Sequence, residues 1–272
     1  MKIKDELLKD SNTQEQKIPV KLIQPWSNFI VKFKLPDWGL EDLGKLYNDA
    51  SDLNVSFGSE LVGQVDNEPQ VTDELQKKYT RFTNFCMEST RQYVEMSMFQ
   101  VCAGDNEQKK LKQFQDDEVL TRITTMWFVN QKPNEYNPIH IHTNCKVSAV
   151  MYLKKPSQQV IDRKQHYKSD GMITFVNNSG TDISYVNGQC SFNPEPGDMY
   201  VFPALQNHMV WPYRSKDPDD SRISLSFNAD WILKSALERQ SKDQERMYKE
   251  MKKMKESEND KGLTDGNINK SG

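Results

Sequence analysis

The sequence lacks the marks of several protein classes. No apolar run reaches the roughly 18 residues that a membrane-crossing helix needs. The opening MKIKDELLKDSNTQEQK has no apolar core of the secretory type. No signal peptide or membrane segment is expected, and a cytoplasmic location fits. Cysteine is sparse: Cys86, Cys102, Cys145 and Cys190 are scattered, without a C-x-x-C pair. That usage suits free thiols in a reducing compartment. An excess of one charge is also missing, since 36 Lys and Arg face 39 Asp and Glu, a net charge of -3. Neither a nucleic acid nor an anionic membrane surface is indicated as a partner. A glycine-rich phosphate loop is absent, which argues against a nucleotide enzyme. Histidine is rare, with His140, His142, His166 and His208 the full set.

What remains is a chain of 272 residues with 10% aromatics, enough to bury a core. Its character changes along its length. Residues 1–17 are polar and read as a disordered N-terminus. Residues 18–118 read as an N-terminal strand with supporting helices. VKFKL alternates as a strand, and WGLEDLGKLYNDAS after Asp37 has helical spacing. Residues 72–100 contain no proline or glycine, and Leu75, Tyr79, Phe82, Cys86, Tyr93 and Met96 predict one long amphipathic helix.

From residue 119 to 234 the pattern is short strands, ITTMWFVNQ, VSAVMYLKK, MITFVNN, ISYVN, DMYVFPA, HMVWPY and ISLSFNADWI, divided by turn signals such as KPNEYNP, NNSG, VNG, PEPGD and SKDPDD. This cadence predicts a sandwich or barrel in an α+β protein with a mainly β core. Residues 235–272 read as a charged helix followed by a disordered tail of some fifteen residues. The helix is either a solvated face or a homo-oligomer contact through Leu237, Met247, Met251 and Met254.

Two histidines stand two residues apart in NPIHIHTN. On a strand, positions i and i+2 share a face, so His140 and His142 would enter one cavity. Imidazole suits several transition metals, and an exposed strand can also carry two histidines without binding any. His208 lies in VFPALQNHMVWPYRSKDPDDSRISLSFN, fourteen residues before Arg222. Arg222 opens the alternating ISLSF, on one face with Ser224 and Ser226. An inward arginine flanked by hydroxyls calls for an anion, and guanidinium grips a carboxylate in a two-point fork.

Together these motifs resemble the 2-oxoglutarate/Fe(II) oxygenases of the prolyl-hydroxylase-like group, nearest a subgroup found in phages and marine bacteria. The resemblance spans about residues 120–232. It is carried by Pro138-Ile-His140-Ile-His142, Ser148-Ala-Val-Met-Tyr152-Leu153, Phe202-Pro203, His208-Met-Val210-Trp-Pro212 and Arg222-Ile-Ser224-Leu-Ser226-Phe227-Asn228. It implies a double-stranded β-helix, a jelly-roll or cupin-like barrel buttressed by the N-terminal helices. It also implies Fe(II), 2-oxoglutarate and O₂, with hydroxylation of a C–H bond and release of succinate and CO₂.

By position His140 and His208 match the family's iron-binding histidines, while His142 stands where most relatives carry Asp or Glu. Either three histidines hold the metal, or the register slips and His142 and Asn144 take the two positions. Asp198 of PEPGD is a further carboxylate that reads more simply as a turn residue. Arg222 and Ser224 match the pair that holds the far carboxylate of 2-oxoglutarate. Tyr152 matches a tyrosine that contacts it, or else fills the barrel. Asn130 stands where relatives place another co-substrate contact. His166, in a polar stretch, takes no part.

Two rival readings stay open: a cupin-like three-histidine barrel that uses no 2-oxoglutarate, and a non-catalytic structural or binding module. The substrate, a small molecule or a peptide, is not legible.

Overall fold

The computed structural model describes residues 29–101, 112, 114–157, 169–177 and 188–264. The N-terminal stretch 1–17, His166, Cys102 and the ISYVN run fall outside them.

The first described strand, β1 (Val31–Lys34), leads through Pro36 into helix α1 (Asp37–Asp52). Pro36 lacks an N–H and sits at the position where none is needed, and Asp37 places negative charge at the positive end of the helix. Gly39, Leu43, Leu46 and Ala50 are the buried stripe, spaced by three and four. A short 3₁₀ turn, Gly58–Glu60, precedes α2 (Asp73–Lys78) and α3 (Thr80–Val101).

The single helix predicted over 72–100 is therefore two. Tyr79 leaves helical geometry at ψ 44. Its hydroxyl donates to Asp49 Oδ2 of α1 at 2.6 Å, and Thr80 Oγ1 donates to the Lys77 carbonyl that the break frees. The predicted stripe holds at Leu75, Phe82, Cys86 and Tyr93, but Met96 is 48% exposed.

The strands are β2 (Val119–Gln131), β3 (Asn137–His140), β4 (Val147–Lys154), β5 (Ile173–Val176), β6 (Gln189–Phe192), β7 (Asp198–Pro203), β8 (His208–Val210) and β9 (Arg222–Leu233). Among the described residues they form two antiparallel sheets, ordered β1-β7-β4-β9-β2 and β3-β8-β5-β6. Strand β6 carries no apolar alternation and has no counterpart among the predicted strands.

Alternation divides the first sheet into two faces. Val147, Ala149, Met151, Met199, Val201, Leu225, Phe227 and Phe128 turn one way, into a core shared with Leu43, Leu46, Phe82 and Cys86 of the helices. Val150, Tyr152, Tyr200 and Phe202 turn the other way, toward Ile173, Phe175 and Val210 of the second sheet. A register shift between Ile123 and Thr125 in the β2–β9 pair sets which face Trp127 and Val129 take.

Helix α4 (Lys234–Thr264) continues β9 and extends into the stretch that composition marks as a disordered tail. Ser235 N–H and Oγ–H donate to Asp117, tying down its first turn. Leu237, Met247 and Met251 are exposed. No helix among the described residues is long and apolar enough to cross a membrane.

The helix-facing layer predicts a stability effect. Phe128 is fully buried, with its ring 5.2 Å from that of Tyr47 on α1. Phe128→Ala should cost about 3–5 kcal/mol in urea unfolding. A loss below about 1 kcal/mol would mean that the helices do not pack on this sheet as described.

Candidate active site

A cavity of about 400 Å³ opens between the sheets, and its wall includes His140, His142, His208, Tyr152, Arg222 and Ser224. The register of β3 with β8 makes His140 and His208 direct cross-strand partners, with ring centroids 4.2 Å apart. Strand β3 ends at His140, but its alternation persists: Ile139 and Ile141 are exposed while His140 and His142 turn inward. One ring nitrogen from each of His140, His142 and His208 lies within 4.8 Å of the others, a group that can hold a metal ion.

Backbone contacts orient two of these rings. His140 Nδ1 lies 2.7 Å from the Pro138 carbonyl, and His208 Nδ1 lies 2.9 Å from the Gln206 carbonyl. A carbonyl only accepts, so each Nδ1 carries its proton and each Nε2 keeps a lone pair. His142 Nε2 stands 3.3 Å from His208 Nε2. Burial lowers all three proton affinities; it takes His142 to about 4 with help from His140, and His208 well below its ordinary value. Neutral imidazoles with inward lone pairs are the state a cation requires.

Arg222 is 2% exposed and opens β9. Its Nη1 donates to the Gly171 carbonyl at 2.6 Å, while Nε has no hydrogen-bond partner. No carboxylate among the described residues pairs with it. Burial lowers its pKa, and only the neighbouring tyrosines, Tyr152 and Tyr213, act against that. The guanidinium lies 5.6 Å from the centre of the Tyr152 ring, and the buried Tyr152 hydroxyl also has no partner. Ser224 sits directly across from Tyr152 in the β4–β9 register. A desolvated cation without a counter-charge costs several kcal/mol. A carboxylate bound here would take up the orphan donors. The cavity therefore suits both halves of a metal–2-oxoglutarate pair, imidazoles for one and an unpaired guanidinium for the other.

Two sequence candidates are not brought to this place. The Asn130 amide donates to Tyr47 on the helix side at 2.8 Å, because Asn130 alternates with the cavity-facing Trp127 and Val129 of β2. Asp198 is held by Lys32 at 2.9 Å and Lys34 at 3.1 Å and accepts from the Glu195 N–H, so it locks β1 to β7. Asn144 lines the cavity but is exposed, with a φ of 58°.

The sequence also leaves wall residues unflagged: Phe57, Glu68, Thr125 and Trp127. Trp127 lies in a legible strand, whereas Glu68 has no local signal. Residues 67–71 run along β2 as an added edge: Phe128 N–H donates to the Pro69 carbonyl and Asn130 N–H to that of Asn67. Glu68 is 2% exposed, and its Oε1 has no partner.

Residues 125–228 match the family model described as "Putative 2OG-Fe(II) oxygenase", a stretch that contains all three histidines and Arg222. This is the family named by the motifs; its members are oxidoreductases that use Fe(II) and 2-oxoglutarate. Among solved structures, the chain is similar to a 2OG-Fe(II) oxygenase family oxidoreductase from Burkholderia pseudomallei, at 14% identity over 41% of this chain and 44% of that one, with a TM-score of 0.31. This chain thus spans less than half of the Burkholderia protein. It is also similar to a Pseudomonas putida prolyl-4-hydroxylase, at 12% identity over 75% of this chain and 94% of that one, TM-score 0.45. A third similarity is to a Trichoplax adhaerens prolyl hydroxylase in complex with a hypoxia inducible factor peptide, at 10% identity over 75% and 84%, TM-score 0.44. No curated protein matches the chain.

The environment of Glu68 has a measurable consequence. Burial, and secondarily the charge of Glu135, raises its pKa from 4.5 to about 7. A carboxyl raised in the folded state opposes folding once the unfolded chain ionises. That cost is absent below pH 4.5, grows up to about pH 7 and stays constant above. Relative to wild type, Glu68→Gln should gain stability across this window in urea unfolding. A difference that does not change with pH would contradict the assignment.

Proposed function

We propose that residues 119–234 form the catalytic core of an Fe(II)- and 2-oxoglutarate-dependent dioxygenase that hydroxylates a small-molecule or peptidyl substrate. In this reading the two sheets are the halves of a double-stranded β-helix, and residues 18–118 supply the elements behind the first sheet. The observation that carries the reading is the coexistence, in one cavity, of three converging neutral imidazoles and a buried guanidinium without a counter-ion.

His140, His142 and His208 would hold the metal through inward-facing nitrogens. Arg222, with Ser224 and the Tyr152 hydroxyl, would hold the distal carboxylate of 2-oxoglutarate. Iron with 2-oxoglutarate and O₂ supplies the oxidising chemistry that releases succinate and CO₂ and hydroxylates a C–H bond. The protein's share is positioning. The Pro138 and Gln206 carbonyls fix two imidazole orientations. Arg222, placed by the β9 register, would hold one end of the co-substrate in the cavity that the histidines also line. Val150, Phe202 and Val210 form an apolar part of the wall, which would limit the water around a bound co-substrate.

A cupin-like enzyme with three histidines would share the metal cluster and make no use of Arg222, so this residue separates the two. Arg222→Ala should weaken 2-oxoglutarate binding roughly 30-fold or more, the loss of a buried charge-assisted pair, and leave Fe(II) binding intact. Arg222→Lys should recover part of the loss. His208→Ala should abolish Fe(II) binding. Calorimetric titration and succinate assay read all three variants. Succinate formation unaffected by Arg222→Ala would reject the co-substrate assignment, and Fe(II) affinity indifferent to His140 and His208 would reject the metal site.

A further inference from the structure

The cavity has a second ionisable group with an unpartnered atom that neither metal nor 2-oxoglutarate accounts for. Glu68 and Glu60 are the acidic residues of its wall, and Arg222 is the basic one. Glu68 is the buried acid, with Oε1 out of contact with water and with any donor. Its surroundings keep it there. The Phe57 N–H donates to the Glu68 carbonyl at 2.8 Å, holding the 3₁₀ turn against residue 68. A Cβ on Gly63 would lie 2.1 Å from Asn137 Oδ1, so the Asn137 amide needs the close backbone approach that glycine permits, and the same Cβ would lie in ordinary contact with Glu68 Oε1.

Position separates Glu68 from the co-substrate end. Its segment runs beyond β2, and β2 lies beside β9, so Glu68 is two strand spacings, about 10 Å, from the backbone that carries Arg222. Two aromatic side chains of the same wall, Phe57 and Trp127, lie between its segment and the metal cluster. The rings of Phe57 and Trp127 are 5.1 Å apart, and the Trp127 ring is 5.9 Å from that of His142. Aromatic faces beside a carboxyl attract a cation twice, through the ring quadrupole and through charge.

We propose that Glu68, with Phe57 and Trp127, forms the substrate subsite of this cavity and selects a substrate bearing an ammonium group. This rests on the dioxygenase reading and specifies the substrate class of the same site. The two charged ends of the cavity then divide the ligands: the carboxylate of the co-substrate at Arg222, the cation of the substrate at Glu68. Burial, and secondarily Glu135, raises the pKa of this carboxyl, and an arriving ammonium group would act against that shift, because an adjacent cation favours the carboxylate.

The test titrates benzylammonium and its neutral counterpart, benzyl alcohol, into the full-length protein loaded anaerobically with Fe(II) and 2-oxoglutarate, with calorimetry as the readout. Wild type should bind the ammonium probe at least tenfold tighter than the alcohol. Glu68→Gln should lose that preference and still bind 2-oxoglutarate, and Glu68→Asp should keep part of it. Equal affinities in wild type, a preference that survives in Glu68→Gln, or no saturable ammonium binding would overturn the proposal. If 2-oxoglutarate binds and the cation preference is missing, this inference alone falls. If the preference is present and 2-oxoglutarate does not bind, the dioxygenase reading falls.

Discussion

Arg222 enters the first sheet with its guanidinium out of water and one N–H held by the Gly171 carbonyl. An arginine remains charged in a protein, so it cannot lower the cost of burial by giving up a proton. Tyrosines surround it, and no acid among the described residues balances it. Such an arrangement is stable only because the rest of the sheet is strongly determined, and it leaves a standing affinity for an anion. The cavity, the neighbouring orphan tyrosine and the histidine cluster take their meaning from that charge. Arg222 and the three imidazoles share the same cavity of about 400 Å³.

Strand register produces this convergence. Tyr152 opposite Ser224 and His140 opposite His208 are cross-strand pairs, one in each sheet. A slip of one residue in either would turn these side chains to the other face. Register is pinned from behind by the helix-facing layer, where Leu225, Phe227, Met151 and Phe128 meet α1 and α3. It is pinned from the edge by Asp198, which Lys32 and Lys34 clamp between β1 and β7. The apolar packing and the polar site are thus two faces of one alternating pattern. A core substitution far from the histidines can reach the site through register.

That alternation is also what makes the site legible in the sequence. His140 and His142 are two apart, and Arg222, Ser224 and Ser226 alternate, so period-two reasoning assigns each set one face; the structure shows both sets at one cavity. Asn130 rests on resemblance rather than alternation, and the face that its half of β2 presents depends on a parity counted through the register shift between Ile123 and Thr125. Nothing in the local pattern announces that shift. Tyr79 illustrates another limit: its spacing fits one helix, and a hydrogen bond to Asp49, thirty residues earlier, ends that helix instead. Glu68 is the plainest case. It lies in an aperiodic stretch, and only edge pairing of residues 67–71 with β2 carries it into the cavity.

The central claim is that one 2-oxoglutarate bridges the metal cluster and Arg222. An anaerobic crystal structure with Fe(II) and 2-oxoglutarate tests it directly. One metal ion is expected within bonding distance of nitrogens from His140, His142 and His208, with a 2-oxoglutarate whose far carboxylate lies against Arg222, Ser224 and the Tyr152 hydroxyl. Metal bound away from these histidines, or 2-oxoglutarate density with neither end at Arg222, would contradict it.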